Sequence, residues 1–371
     1  MTATNVRRSA SGASSRASSA TGADSGPGDG SDALRGLDLV GCRPILAGPT
    51  EVTFPLRSGD RALVAAGDAI VAGTTIAERL RDARIVELAP AAASDTAVPG
   101  DRWMVAGEAA IRLRRGHGAE AGELLYQHDG HWALAAGEHA EPVECPLAGV
   151  VRDVRPGIGI RVRAQGRALL GVEALGDPTS GRLSLGGERS DQRQGRLRST
   201  SLDVGLAGTI LVIGSRVDAE ALTRARAMGV RGVIVSGLAG KERRDFMASE
   251  ARQRAALHRL PPFAVLVLDG AVRRPIAGPV AAVLERLAGT TVAISVDPPA
   301  MIFDEPGLAI DPPPLDHIRV RAGEHAGDEG RWAGLAGVRR FAGGTFLEAG
   351  WVVFGDEAPV SIPIADLERF G

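Results

Sequence analysis

The sequence predicts a mixed β and α/β protein, and three observations carry that expectation. Between residues 204 and 303, apolar runs at 208–214, 230–235 and 263–268 alternate with two helical stretches, the order strand, helix, strand, helix, strand. Residues 36–180 hold short apolar runs broken by glycine, as turn-rich β structure requires. Residues 317–371 repeat that pattern behind the stiff Pro312-Pro313-Pro314 connector.

Composition bounds the function classes. A 44% hydrophobic content and a formal charge of −2 give no global pull toward nucleic acid or an anionic membrane. Lys241 is the only lysine, so nearly all positive charge is arginine. Cys42 and Cys145 are too few for a disulfide framework, an iron–sulfur site or a four-thiolate zinc site, and both are expected as buried small apolar residues. No apolar run approaches the roughly 20 residues of a membrane-spanning helix. A cytoplasmic protein without a membrane partner is expected.

Residues 1–35 are rich in Ser, Ala, Gly and Thr and read as a disordered tail, because little apolar surface is available to offset the entropy of ordering. Arg7, Arg8 and Arg16 precede any acidic residue, but no apolar segment of a secretory signal follows.

In residues 36–180, Val52-Thr53-Phe54-Pro55-Leu56 reads as a strand, with Pro55 marking an edge. Gly67-Asp68, Ile70, Gly73 and Ile76-Ala77 form one glycine-punctuated phrase. Pro146, Gly149, Val151 and Val154 form a second. Together they resemble the two halves of the barrel-sandwich hybrid fold of biotinyl and lipoyl domains. Glycines turn the corners of such a flattened barrel and valines fill its thin interior. The resemblance would imply a modified lysine at a hairpin tip, yet this region has none, so covalent biotin or lipoate is not expected. The same hybrid barrel occurs in RnfC-like electron-transfer subunits, whose cysteine-ligated clusters two cysteines cannot supply. The barrel reads as a structural or docking module.

Between the halves, residues 88–144 read as inserted hairpins, with Asp129-Gly130 as a type I′ turn. His128 and His131 flank that tip and His139 follows, which makes His128 and His131 the candidate metal ligands. Solvated histidines at a hairpin end are the plainer reading. Residues 181–203 carry Arg189, Arg193, Arg196 and Arg198 without periodicity and read as a linker.

In residues 204–303, Asp218 stands as N-cap and Gly229 as the residue past the end of a helix at 219–228. A second helix is expected at 241–257, stopped by Pro261-Pro262, and a third at 279–287 opening on Pro279. The order resembles swivelling or protease-associated-type domains, which implies a lid or interaction surface. Ligands of open α/β sheets sit beyond the carboxyl ends of the strands. Ser215, Ser236 and Lys241 stand there and are the candidate anion-binding residues. Val235 occupies the position where a phosphate-binding loop needs glycine, and Glu242 stands where it needs Ser or Thr. No catalytic residue and no cofactor are expected.

After the connector at 304–316, Val320, Gly323, Gly327 and Gly330, with the closing Val360-Ser361-Ile362-Pro363-Ile364-Ala365-Asp366-Leu367-Glu368, resemble the KOW-type small β-barrel. Asp366 replaces the family's usual Asn. The resemblance implies RNA or protein contact. The mixed charge of Glu324, His325, Asp328 and Glu329 beside Arg319, Arg321, Arg331, Arg339 and Arg340 argues against a simple phosphate-binding surface and leaves a protein contact or a purely structural barrel. The sequence thus points to a non-catalytic scaffold that docks proteins. The alternatives are an RNA-associated protein acting through its C-terminal end, and an enzyme or anion-binding protein acting at the strand ends.

Overall fold

The computed structural model describes residues 33–46, 48–56, 60–80, 84–88, 102–106, 109–112, 121–128, 131–136, 140–186, 204–214, 217–256, 261–272, 274–305, 307, 309 and 311–371. Between 80 and 141, at 204 and at 254–256, it describes the backbone alone. Residues 1–32 of the tail expected at 1–35, the Asp129-Gly130 turn, His139, most of the linker (187–203) and Ser215 lie outside these residues, while residues 33–35 are structured and Leu34 packs against the C-terminal core. The described chain is mostly β-sheet with three α-helices, a mixed β and α/β protein.

The centre is an eight-stranded sheet. Its parallel core runs Thr179–Leu185, Thr209–Ile213, Gly232–Val235 and Ala264–Val267. Gly232–Val235 and Ala264–Val267 are apolar and buried at every position, as is Thr209–Ile213 after its first residue, because both faces are covered there, whereas Thr179–Leu185 carries polar residues and is only partly buried. Leu211, Ile213, Val233, Val235, Val265 and Val267 meet the helices Ala219–Ala227 and Gly240–Ala256 on one side. Ile210, Val212, Ile234 and Leu266 meet the helix Gly278–Arg286 on the other. Each fully buried aliphatic side chain contributes about 1.5–3 kcal/mol. The first helix starts where Asp218 Oδ1 accepts the Ala221 N–H at 2.6 Å, and Gly229 follows it at φ 84°.

Antiparallel strands extend this core at both edges. Glu173–Gly176 pairs with Ala264–Val267. On the other side Thr291–Ser295, Ala300–Phe303 and Arg167–Leu170 follow in turn. Residues 167–185 therefore enter the α/β sheet, so its pairings cross the boundaries drawn from sequence at 180 and 204.

The two glycine-punctuated phrases meet. Ala69–Ile70 pairs with Gly149 and Val150, and the Gly67 N–H donates to Val151 O at 2.8 Å. Gly149 packs so closely that a Cβ there would lie 2.3 Å from Arg163 O. The four-stranded sheet of Glu51–Pro55, Gly159–Ala164, Gly149–Arg155 and Ala69–Ile70 shares a core with the three-stranded sheet of Ala140–Glu144, Thr75–Leu80 and Arg61–Ala62. That core holds Val52, Phe54, Ile76, Cys145, Val151 and Ile160, and it extends onto Ala293, Ala300 and Ile302 of the α/β sheet. The insertion forms a five-stranded antiparallel sheet of its own.

The last sheet has six strands, in the order Gly41–Arg43, Leu367–Phe370, His317–Val320, Glu329–Arg340, Phe346–Val353 and Val360–Pro363. Residues near the start of the described chain thus pair in parallel with the last strand. Leu37 and Val40 join Ile318, Trp332, Val352, Ile362 and Leu367 in its core. Glu329 reaches from this sheet to the third helix, where its Oε1 accepts the Gly278 N–H at 2.7 Å. Among the described residues no helix is long and apolar enough to cross a membrane.

Trp332 lies flat against Gly350, where an added Cβ would fall 1.9 Å from the indole Cζ3. Gly350→Ala is expected to destabilise the C-terminal sheet by about 1–3 kcal/mol through overpacking, read as a lower Tm by circular dichroism.

Candidate functional site

The carboxyl ends of the parallel strands are where sequence placed Ser215, Ser236 and Lys241. Ser236 is fully buried, and its Oγ donates to the backbone carbonyls of Arg274 and Gly214. A hydroxyl held in this way is structural. Lys241 is exposed in the first turn of the second helix. Its neighbour Glu242 turns away and accepts the Ala219 N–H at 3.0 Å, capping the first helix. Ser236 and Lys241 therefore do not converge, one being sealed in the core and the other in solvent.

What stands at the strand end instead is Asp269, just beyond Ala264–Val267. Arg43 Nη1 meets Asp269 Oδ1 at 2.5 Å, and Arg43 Nη2 meets Glu368 Oε2 at 3.1 Å. Arg319 Nη1 meets Asp269 Oδ2 at 2.9 Å and Glu368 Oε1 at 3.3 Å. Each guanidinium spans both carboxylates, closing a four-membered ring of alternating charge. Arg319 is fully buried and donates its second Nη to Pro275 O. Two further arginines adjoin the ring. Arg321 Nε lies 3.9 Å from Glu368 Oε2. Arg274, 5% exposed, donates to Arg321 O at 2.8 Å and Asp269 O at 3.1 Å. Burial lowers the Arg274 pKa, and the Asp269 charge opposes that shift. Beside the ring opens a small cleft with Arg43 and Asp269 at its polar end and Leu169, Leu170, Leu268 and Ile276 on its walls.

Among the described residues two histidine side chains, His317 and His325, are placed. His317 Nε2 lies 3.3 Å from Glu329 Oε2, and His325 Nδ1 lies 3.1 Å from Asp328 Oδ2 while its ring stacks on Phe354. The backbones of His128 and His131 stand opposite one another in register. Their side chains lie outside what the structure describes. Among the described residues no group of three or more His, Cys, Asp or Glu has the geometry to hold a metal. Of the two cysteines expected to be buried, Cys145 is, and that burial pushes its thiol pKa up to about 11, whereas Cys42 is exposed on the edge strand Gly41–Arg43.

A second feature is a surface. Residues 337–340 and 346–349 of the long hairpin pair with each other, and of these only Ala349 also pairs with a neighbouring strand. About four residues of strand project for about 13 Å as a two-stranded arm. The arm exposes Val338 (64%), Phe346 (67%) and Leu347, and Leu335 is exposed next to it. Arg340 stands opposite Phe346, and the Arg339 guanidinium lies 5.0 Å over the Trp351 ring. The hairpin carries Arg331, Arg339 and Arg340 with two acids, Glu329 at its base and Glu348 in the arm, and among the described residues Arg331, Arg339, Arg340 and Glu348 form no ion pair. The acids Glu324, Asp328, Asp356 and Glu357 sit in the turns at the opposite end. Sequence reading saw the arginines of this hairpin and the strand from 350, but not the arm.

Comparison with known proteins assigns no family: neither a scan against protein-family models nor a search of curated proteins finds a match for this chain.

Two outcomes follow. Arg319→Ala strands two buried carboxylates and is expected to cost about 3–5 kcal/mol in urea unfolding, whereas Lys241→Ala stays within about 0.5 kcal/mol. With a thiol reagent at pH 8, Cys42 is expected to label quickly and Cys145 only after denaturation. The raised Cys145 pKa adds stability that is complete below its ordinary value of 9.0 and is lost as pH climbs through about 11.

Proposed function

We propose that this is a non-catalytic cytoplasmic accessory protein that docks an acidic protein partner through the arm at residues 337–349. The observation that carries this reading is the arm itself. An isolated two-stranded ribbon is marginally stable in water. One that shows Val338, Phe346 and Leu347 to solvent gains by being covered. Arg339 and Arg340 outnumber Glu348 in the arm, while Glu324, Asp328, Asp356 and Glu357 lie in the turns at the other end, which suits a partner carrying negative charge around an apolar patch. The arm's outer edges also offer unpaired backbone groups to an added strand.

The domain resemblances fit this reading. The paired glycine phrases support a barrel-sandwich hybrid unit, the α/β sheet a swivel-like unit, and the C-terminal sheet a KOW-like unit, all folds used for contact. Because the Ser236 hydroxyl is engaged by two carbonyls, the strand ends lend less support to an enzyme.

One observation favours a second reading. Phe346 exposed beside Arg339 and Arg340 also suits single-stranded RNA, with bases on the ring and phosphates on the guanidiniums.

Val338→Ser with Phe346→Ser is expected to leave Tm unchanged and to weaken partner binding at least about tenfold, measured by titration with the purified partner after cross-linking identifies it. Equal binding by both forms removes the arm from the interface. Retention on single-stranded RNA that falls steeply with salt selects the second reading instead.

A further inference from the structure

We propose that Arg274 and Arg321, beside the carboxylate–guanidinium ring, bind a small oxyanion with the charge of a phosphate dianion or phosphomonoester. The charge count leads there. Asp269, Glu368, Arg43 and Arg319 neutralise one another, since each arginine touches both acids. Arg274 and Arg321 adjoin the ring: Arg321 is half-exposed and lies 3.9 Å from Glu368, while Arg274 is buried with no carboxylate of the described residues within ion-pair distance. Arg274 hydrogen-bonds only to backbone carbonyls. Its Nε is buried without a hydrogen-bond partner, and so is the Nε of Arg319. Buried donors are nearly always satisfied, and buried charge without a counter-charge is costly. The depressed Arg274 pKa has the same origin in burial.

Arg321 keeps 53% of its side chain in solvent, and Arg274 donates from Nη1 to the Arg321 backbone carbonyl, which holds the two residues side by side. Both lie where the parallel sheet presents the end of the strand Ala264–Val267, the general position of ligands in α/β sheets. Planar guanidiniums present their donors in a fork that matches tetrahedral oxyanions. The anion preference foreseen at Lys241 thus moves to an arginine pair supplied by two sheets. This inference is independent of the arm.

The test uses the full chain with inorganic phosphate. Phosphate at about 100-fold its Kd is expected to raise the folded-to-unfolded ratio about 100-fold, seen as a higher Tm than in chloride of equal ionic strength. Titration calorimetry is expected to give one site. Arg321→Gln, at a half-exposed position, is expected to keep the phosphate-free Tm and to weaken phosphate at least about tenfold. Arg274→Gln, refolded and checked by circular dichroism, should weaken it further. Glycerol phosphate separates the sources: a shift equal to that of phosphate assigns a phosphomonoester, and a shift with phosphate alone assigns the free ion. The Val338→Ser, Phe346→Ser form is expected to keep the full phosphate shift. An equal rise in chloride, or a full phosphate response in Arg321→Gln, overturns the proposal.

Discussion

The ring of Asp269, Glu368, Arg43 and Arg319 is the interaction on which the arrangement of the molecule depends. Its members come from a strand near the start of the described chain, the end of a central parallel strand, and two strands of the C-terminal sheet. Taking four charges out of water is expensive, and the expense is offset only if each finds opposite charge on more than one side. The alternating closure provides that, with the carbonyls of Leu268 and Pro275 accepting remaining donors. Hydrophobic contact alone would allow the sheets to slide. A ring with four fixed partners admits one register.

Around that joint the sheets are tied by smaller devices of the same kind, in which a polar group on one unit completes an unfinished backbone on another. Glu329 caps the third helix from the C-terminal sheet, and Thr53 N–H donates to Asp297 O across the other boundary. Apolar contact continues through both junctions, since Ile45 and Phe370 share a core with the third helix and Ala300 and Ile302 share one with the first β region. The helix ends and strand edges that a separate domain would leave to water are satisfied here by the neighbouring unit.

Much of the α/β unit was legible in the sequence because its signals are local. Strands such as Ala264–Val267 are short apolar runs, and Asp218 and Gly229 bracket their helix by side-chain chemistry and backbone conformation. The glycine phrases at 67–77 and 146–154 also showed, since close packing at Gly149 leaves a trace in composition. The edge strands Arg167–Leu170 and Glu173–Gly176 were not assigned to this sheet. Their partners lie about 90 to 130 residues away, and nothing in a tetrapeptide states which distant edge it joins. The charged ring stayed hidden for a different reason. In a chain with one lysine, arginine is so common that Arg43 and Arg319 look like any solvated cation. Ser236 misled because its place at a strand end is right while its hydroxyl is already engaged.

The parallel pairing of Gly41–Arg43 with Leu367–Phe370 sets an order of events in synthesis. At about 5–20 residues per second, the earlier strand waits on the order of tens of seconds for its partner to leave the ribosome. Asp269 waits with it, because Glu368 and Arg319 also come later in the chain. The α/β sheet can therefore form first with an acidic edge still open, and the final strand arrives as the latch that shuts it.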